Sequence, residues 1–214
     1  MSASVRAIGA CLGLLLVTYV PTFLIVGAMH ASLETSVPAI IVISTLIALG
    51  LMASLRKWAG YTWTGFGFAP SARRYVIWAF IIGVPAALAL TWLDHRFGSA
   101  GPLSGLVIPF WKALLFFGLC APIQEEIIFR GLIQTAVARY WSGSVPFGRL
   151  SISHAALATA VVFGLVHLEV AAFTAIAALF LGVLAGELRS RSGSLLPAVV
   201  VHVLFNFGSF FWNR

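Results

Sequence analysis

Three short groups of residues combine side-chain types that, brought together, can do hydrolytic chemistry. Gln124-Glu125-Glu126-Ile127-Ile128-Phe129-Arg130-Gly131 sets two adjacent carboxylates beside a guanidinium. Phe163-Gly164-Leu165-Val166-His167 puts a ring and an imidazole one helical turn apart, and His202-Val203-Leu204-Phe205-Asn206 does the same with an imidazole and a carboxamide. Glu126 and Arg130, four apart, share a helix face and neutralise each other. Glu125 is rotated about 100° away and has no partner in its own helix. Taken singly, each histidine reads as a hydrogen-bonded structural residue, and His202 with Asn206 reads as interhelical glue. Taken together, a carboxylate, two imidazoles and a carboxamide at similar depths on three helices are the inventory for activating water against a carbonyl: a base, a proton shuttle and donors for an oxyanion.

The elements that must position these groups are membrane helices. Hydrophobic residues make up 61% of the 214 residues and charged ones 9%, whereas soluble domains hold about half apolar and a quarter charged residues. Apolar runs fall at 7–29, 36–54, 75–93, 112–138, 154–169, 171–188 and 194–212. The expected fold is all-α and polytopic, with about seven transmembrane helices around an intramembrane polar cavity, in a single transmembrane domain over 1–214. No low-complexity stretch, repeat or linker divides it. Between Ser153 and Arg189 about 35 residues must make two helices and a turn, so one of them is expected to be short, tilted or re-entrant. The first run is too long for a signal-peptide core and is read as a retained span.

Trp111 and Lys112 mark one interface of the fourth run and Arg139, Tyr140 and Trp141 the other, which puts Glu125 and Glu126 near the bilayer midplane. An ionised carboxylate there costs several kcal/mol unless it is paired or faces water, so both are functional candidates. Pro122 frees a backbone carbonyl just upstream and is expected to kink the helix, opening a polar cavity beside Glu125. The net charge of +7 comes from basic residues in the gaps between runs, a topology signal that excludes nucleic-acid binding as its explanation. With the N-terminus in the cytoplasm, the inner segments hold Arg6, Arg56, Lys57, Arg73, Arg74, Arg139, Arg149, Arg189 and Arg191, against Arg96, Lys112 and Arg214 outside. The segment from Arg56 to Arg74, with Trp58, Tyr61, Trp63, Phe66 and Phe68, is expected along the cytoplasmic headgroups. Cys11 and Cys120 lie in apolar stretches, outside any CxxC or Cys/His pair, and read as small buried hydrophobes.

The ordered series EExxxR, FxxxH and HxxxN on successive membrane helices resembles the CAAX protease and bacteriocin-processing (CPBP, or Abi) family of glutamic-type intramembrane endopeptidases, which includes the CAAX prenyl endopeptidases. The resemblance covers about residues 112–212, the motif core, and Gly131 fits it as well. It implies an intramembrane protease that hydrolyses a peptide bond of a membrane-associated protein or peptide. In that reading Glu125 is the base, assisted by His167; His202 and Asn206 stabilise the oxyanion; Glu126 and Arg130 are a supporting pair, and Phe163 packs behind His167.

The cofactor expected is none. The alternative is a catalytic zinc on His167, His202 and Glu125; against it, HExxH is absent and Asn206 is a poor zinc ligand but a good oxyanion donor. Two rival readings use the same residues: a proton-coupled transporter, which would favour inverted repeats that the sequence lacks, and a catalytically silent scaffold or immunity protein. The partners implied are a membrane-associated protein or peptide substrate and the lipid bilayer. The localisation implied is integral and multi-pass, in a bacterial or archaeal inner membrane.

Overall fold

The computed structural model describes residues 2–30, 32–97, 109–148, 150–168 and 171–212, without the side chains of residues 33, 94, 95, 97 and 209–212. Arg149 and Arg214, counted above in the charge pattern, lie outside the described residues. The described residues make seven helical rods, α1 (Ala3–Ala28), α2 (Leu33–Ala59), α3 (Arg73–Phe97), α4 (110–140), α5 (His154–Val166), α6 (Ala172–Ser192) and α7 (Leu196–Trp212). A hairpin of β1 (Ser144–Phe147) and β2 (Leu150–Ser153) joins α4 to α5.

Helices α1, α2, α3 and α6 are long and apolar enough to cross a bilayer, and α5 and α7 are shorter apolar helices. The chain is an integral membrane protein. Large apolar side chains cover the outside of the bundle, Leu24, Leu46 and Ile176 among them, while Arg130, Glu126 and Thr18 are fully buried within it. That inversion is what hydrocarbon demands of a helical bundle. The hydroxyls of Thr18, Thr22 and Ser44 donate to the carbonyls four residues back, at 2.7, 2.7 and 2.6 Å, so none is left unsatisfied at lipid depth. Ser2 and Ser153 accept the first free amides of α1 and α5, and α2 and α6 end at Gly60 and Gly193, both at φ +70°.

The crowded stretch after Ser153 is solved by shortening. Helix α5 has 13 residues, about 20 Å of rise, which is less than the hydrocarbon thickness. It lies flat against α6 because small residues face each other. A Cβ on Gly182 would lie 2.8 Å from Ala160 Cα, one on Gly186 2.9 Å from Ala156 Cβ, and one on Gly164 3.0 Å from the Ala175 carbonyl. Close backbone approach of this kind replaces the hydrophobic force that helices lack in lipid.

Two features depart from the expected plan. Strands β1 and β2 pair in register Phe147↔Leu150 and Ser144↔Ser153, tied down by Arg191 Nη2 donating to the Ser151 carbonyl at 2.6 Å and by the Ser153 amide donating to Glu187 Oε1 at 2.6 Å. The segment after α2 does not lie flat along a surface. Phe66 is fully buried, stacked on Tyr61 at 5.4 Å, and the carbonyls of Gly65 and Ala69 accept from Arg189 at 2.6 Å and from Ser194 at 2.6 Å. This loop plugs one end of the bundle because its turn carbonyls need donors, and α6 and the turn before α7 supply them. The basic residues gather at the same end: Arg6 lies 5.7 Å from the Tyr140 ring, and Arg139 donates to the Ala59 carbonyl at 2.6 Å. Lys112 pairs with Glu34 at 3.4 Å at the opposite end.

Gly182→Val should drive α5 and α6 apart and sharply lower the monodisperse yield and melting temperature in detergent. Gly13→Val should leave both unchanged, since nothing lies within 4 Å of a Cβ at Gly13.

Candidate active site

The site is built on irregularities in α4 that its sequence imposes. Pro122 has no amide hydrogen, and in the wide turn Leu114–Cys120 the amide of Ala121 reaches back five residues to Phe116. The Phe117 carbonyl therefore loses both backbone donors that could close it, one to Phe116 and one to proline chemistry. Asn206 Nδ2 on α7 donates to it at 2.7 Å. A second wide turn, Ile127–Ile133, closes with the Gln134 amide on the Phe129 carbonyl. Between the two turns, the regular segment Ala121–Glu126 carries both carboxylates. Such widened turns recur at functional sites because they re-aim side chains within an otherwise straight helix.

The adjacent carboxylates straddle one imidazole. His202 Nδ1 and Glu126 Oε1 are 2.7 Å apart, and His202 Nε2 lies 3.6 Å from Glu125 Oε2. The other oxygen of Glu126 is 3.2 Å from Arg130 Nε, with both side chains fully buried. Glu125 keeps 22% of its side-chain exposure while His202 keeps 3%, so Glu125 is the carboxylate of the pair that retains access. An ionised Glu126 accepts the Nδ1 hydrogen, which fixes the ring orientation and leaves Nε2 toward Glu125. Phe163 is the apolar wall. Its ring centroid is 4.6 Å from that of His167 and 5.7 Å from that of His202, and the Arg130 guanidinium sits 4.5 Å over its face. His167 Nδ1 is 2.7 Å from the Phe163 carbonyl, which leaves Nε2 as the nitrogen its own helix does not engage.

Glu125, Glu126, Arg130, Phe163 and His202 are thus one connected cluster. His167 meets it through Phe163, and Asn206 stands a turn further along α7 with its amide on the Phe117 carbonyl. The imidazole beside Glu125 is that of His202, where the resemblance assigns the assisting role to His167. A cavity of about 380 Å³ touches the cluster at Arg130, one turn beyond the expected place beside Glu125. The alternative zinc ligands are not gathered: among the described residues no three His, Cys, Asp or Glu side chains converge in a way that could hold a metal ion. His167, His202 and Glu125 do not fit that group.

Residues that motif reasoning passed over hold the cluster in place. Gln124 is buried and donates to Tyr19 at 3.2 Å on α1 and to Ser44 at 3.0 Å on α2. Gln134 donates to the Gly186 carbonyl and to Ser190, both at 2.9 Å, on α6. The signal was present, since a carboxamide at intramembrane depth must find partners on neighbouring helices.

Residues 107–208 match the family model described as Type II CAAX prenyl endopeptidase Rce1-like. No curated protein matches the chain, and no solved structure does. A helical membrane bundle with this cluster in its interior is, by that match, an intramembrane protease. Over the matched segment, just under half of its length, the chain is similar to the Rce1-like branch of the CAAX protease family, which counts against the carrier and silent-scaffold readings.

Arg130→Ala should leave Glu126 a buried carboxylate without its guanidinium, held by His202 alone, and cost about 3–5 kcal/mol, seen as lost folded yield. Asn206→Ala should cost less, about 1–3 kcal/mol, because the Phe117 carbonyl loses its donor. Melting temperatures of the two purified variants check the order.

Proposed function

We propose that the protein cleaves a peptide bond of a membrane-associated protein or peptide with Glu125 as the general base for the attacking water. The observation that carries this reading is the placement of Glu125 Oε2 3.6 Å from His202 Nε2 while Glu126 grips the other ring nitrogen at 2.7 Å. Two carboxylates on one helix are thereby given different tasks. Glu126, fully buried between Arg130 and His202, is a fixed acceptor that positions the ring. Glu125 retains exposure and can take a proton from water.

When water attacks the scissile carbonyl, a proton passes to Glu125 and negative charge grows on the carbonyl oxygen. In this reading His202 is an imidazolium, its Nδ1 hydrogen held by Glu126, and its Nε2 hydrogen and the Asn206 side-chain amide are the donors we assign to that oxygen, since preorganised donors in a low-dielectric site lower such a barrier by several kcal/mol. The proton then moves from Glu125 to the leaving amine. His167, backed by Phe163, is assigned to assist this transfer through Nε2. The basic end of the bundle faces the cytoplasm in this reading, with the N-terminus inside.

Glu125→Gln keeps the shape and removes the base, so it should abolish cleavage of a membrane-tethered peptide while substrate still binds. A strong chelator should leave wild-type activity unchanged. Stoichiometric zinc whose removal and return track activity would overturn the glutamate mechanism.

A further inference from the structure

The proposed reaction makes no use of the cavity at the basic end. It measures about 380 Å³ and its lining includes Arg130, Gln134, Thr135, Ser153, Arg189 and Ser190, with no aspartate or glutamate among the described residues. Both arginines are at least nine-tenths buried. Arg130 Nε faces Glu126 Oε2 at 3.2 Å in the ion pair, but its Nη1 and Nη2 have no hydrogen-bond partner among the described residues, and Arg189 has none on Nε. Arg189 Nη2 donates to the Gly65 carbonyl at 2.6 Å, which holds the guanidinium against the cavity without neutralising it. Gly67 makes room for it: its φ is +94°, and a Cβ there would lie 2.5 Å from Arg189 Nε. The nearby Glu187 is committed to Arg191 at 2.9 Å and to the Ser153 amide at 2.6 Å. Buried guanidinium groups with unused hydrogens, arriving from two helices and flanked by hydroxyls, form a receptor for an anion with several acceptor oxygens.

Its depth narrows the ligand. Trp141 lines the cavity, and Arg139 stacks 4.8 Å from the Tyr61 ring nearby, so the opening sits at the level of interfacial aromatic and basic residues. Lipid phosphates lie at that level, and basic pockets between membrane helices take anionic headgroups. The carbonyl oxygen of Gln134, buried and without a donor among the described residues, suits a headgroup hydroxyl. We propose that this cavity binds a phosphate-bearing anion through Arg189 and Arg130, and that in the membrane the phosphate is that of a hydroxyl-bearing anionic phospholipid. Because Arg130 also holds Glu126, filling the cavity completes the hydrogen bonding of the residue that supports the active-site pair.

Full-length protein is reconstituted with phosphatidylcholine alone or with phosphatidylglycerol added, then released for native mass spectrometry and thermal unfolding. The expected result is selective retention of phosphatidylglycerol and a melting temperature several degrees higher. Arg189→Gln should lower retention about tenfold, while Arg74→Gln, an exposed arginine outside the cavity, should not. Arg189→Lys, which keeps the charge and loses the planar fork, should fall between them; wild-type lipid selectivity decides the matter should Arg189→Gln not fold. Stabilisation by inorganic phosphate in detergent, without lipid selectivity, would uphold the phosphate site with a soluble source. Equal retention of both lipids with no response to phosphate would overturn it, as would protection only by a peptide bearing a free C-terminal carboxylate.

Discussion

A charge inside a bilayer must be neutralised where it stands, and the fully buried ion pair between Glu126 and Arg130 is the interaction on which the rest of this structure depends. Glu126 cannot relax toward water, so each of its oxygens is held, one by Arg130 and one by His202. That requirement draws α7 onto α4 at the level of Glu125. It also draws Phe163 from α5 over the guanidinium, since the remaining face of a buried cation is best covered by an aromatic ring. Three helices meet at one point because one carboxylate has to be satisfied, and the reactive neighbour Glu125 is placed as a consequence.

Backbone chemistry enforces the same meeting one turn away. A proline inside a membrane helix leaves a carbonyl that lipid cannot satisfy, and here α7 supplies the donor from Asn206. Asn206 is therefore a structural cap and a candidate catalytic donor at once. The same economy holds for Arg130, which serves the buried pair on one side and lines the basic cavity on the other.

The supporting polar contacts extend this logic outward. Gln124 reaches α1 and α2, Gln134 reaches α6, and Arg189 fastens the loop after α2. Where no polar contact is available, as between α5 and α6, glycine and alanine let the backbones approach instead. The membrane removes the hydrophobic drive between helices, so close packing and satisfied polar groups hold the bundle together.

Much of this was legible in the sequence because hydrocarbon constrains composition so strongly. Seven apolar runs yielded seven helical rods, and the crowding after Ser153 foretold a short one. The pairing of Glu126 with Arg130 followed from helical spacing alone, a local property of period 3.6. The tertiary structure decided what depends on contacts between helices. Spacing places Glu125 and Glu126 on different faces, and only the approach of α7 puts one imidazole between them. Pro122 announced a freed carbonyl but not that Asn206 would cap it. The aromatic loop read as a surface segment, yet its carbonyls found donors on α6 and in the turn before α7, and Phe66 was pulled into the core. Arg189 read as a topology signal and Arg130 as the partner of Glu126, and burial beside a cavity with no carboxylate among its described lining residues made the two a candidate anion site. Periodicity reports which way a side chain leaves its own helix; what it meets is set by how the helices pack.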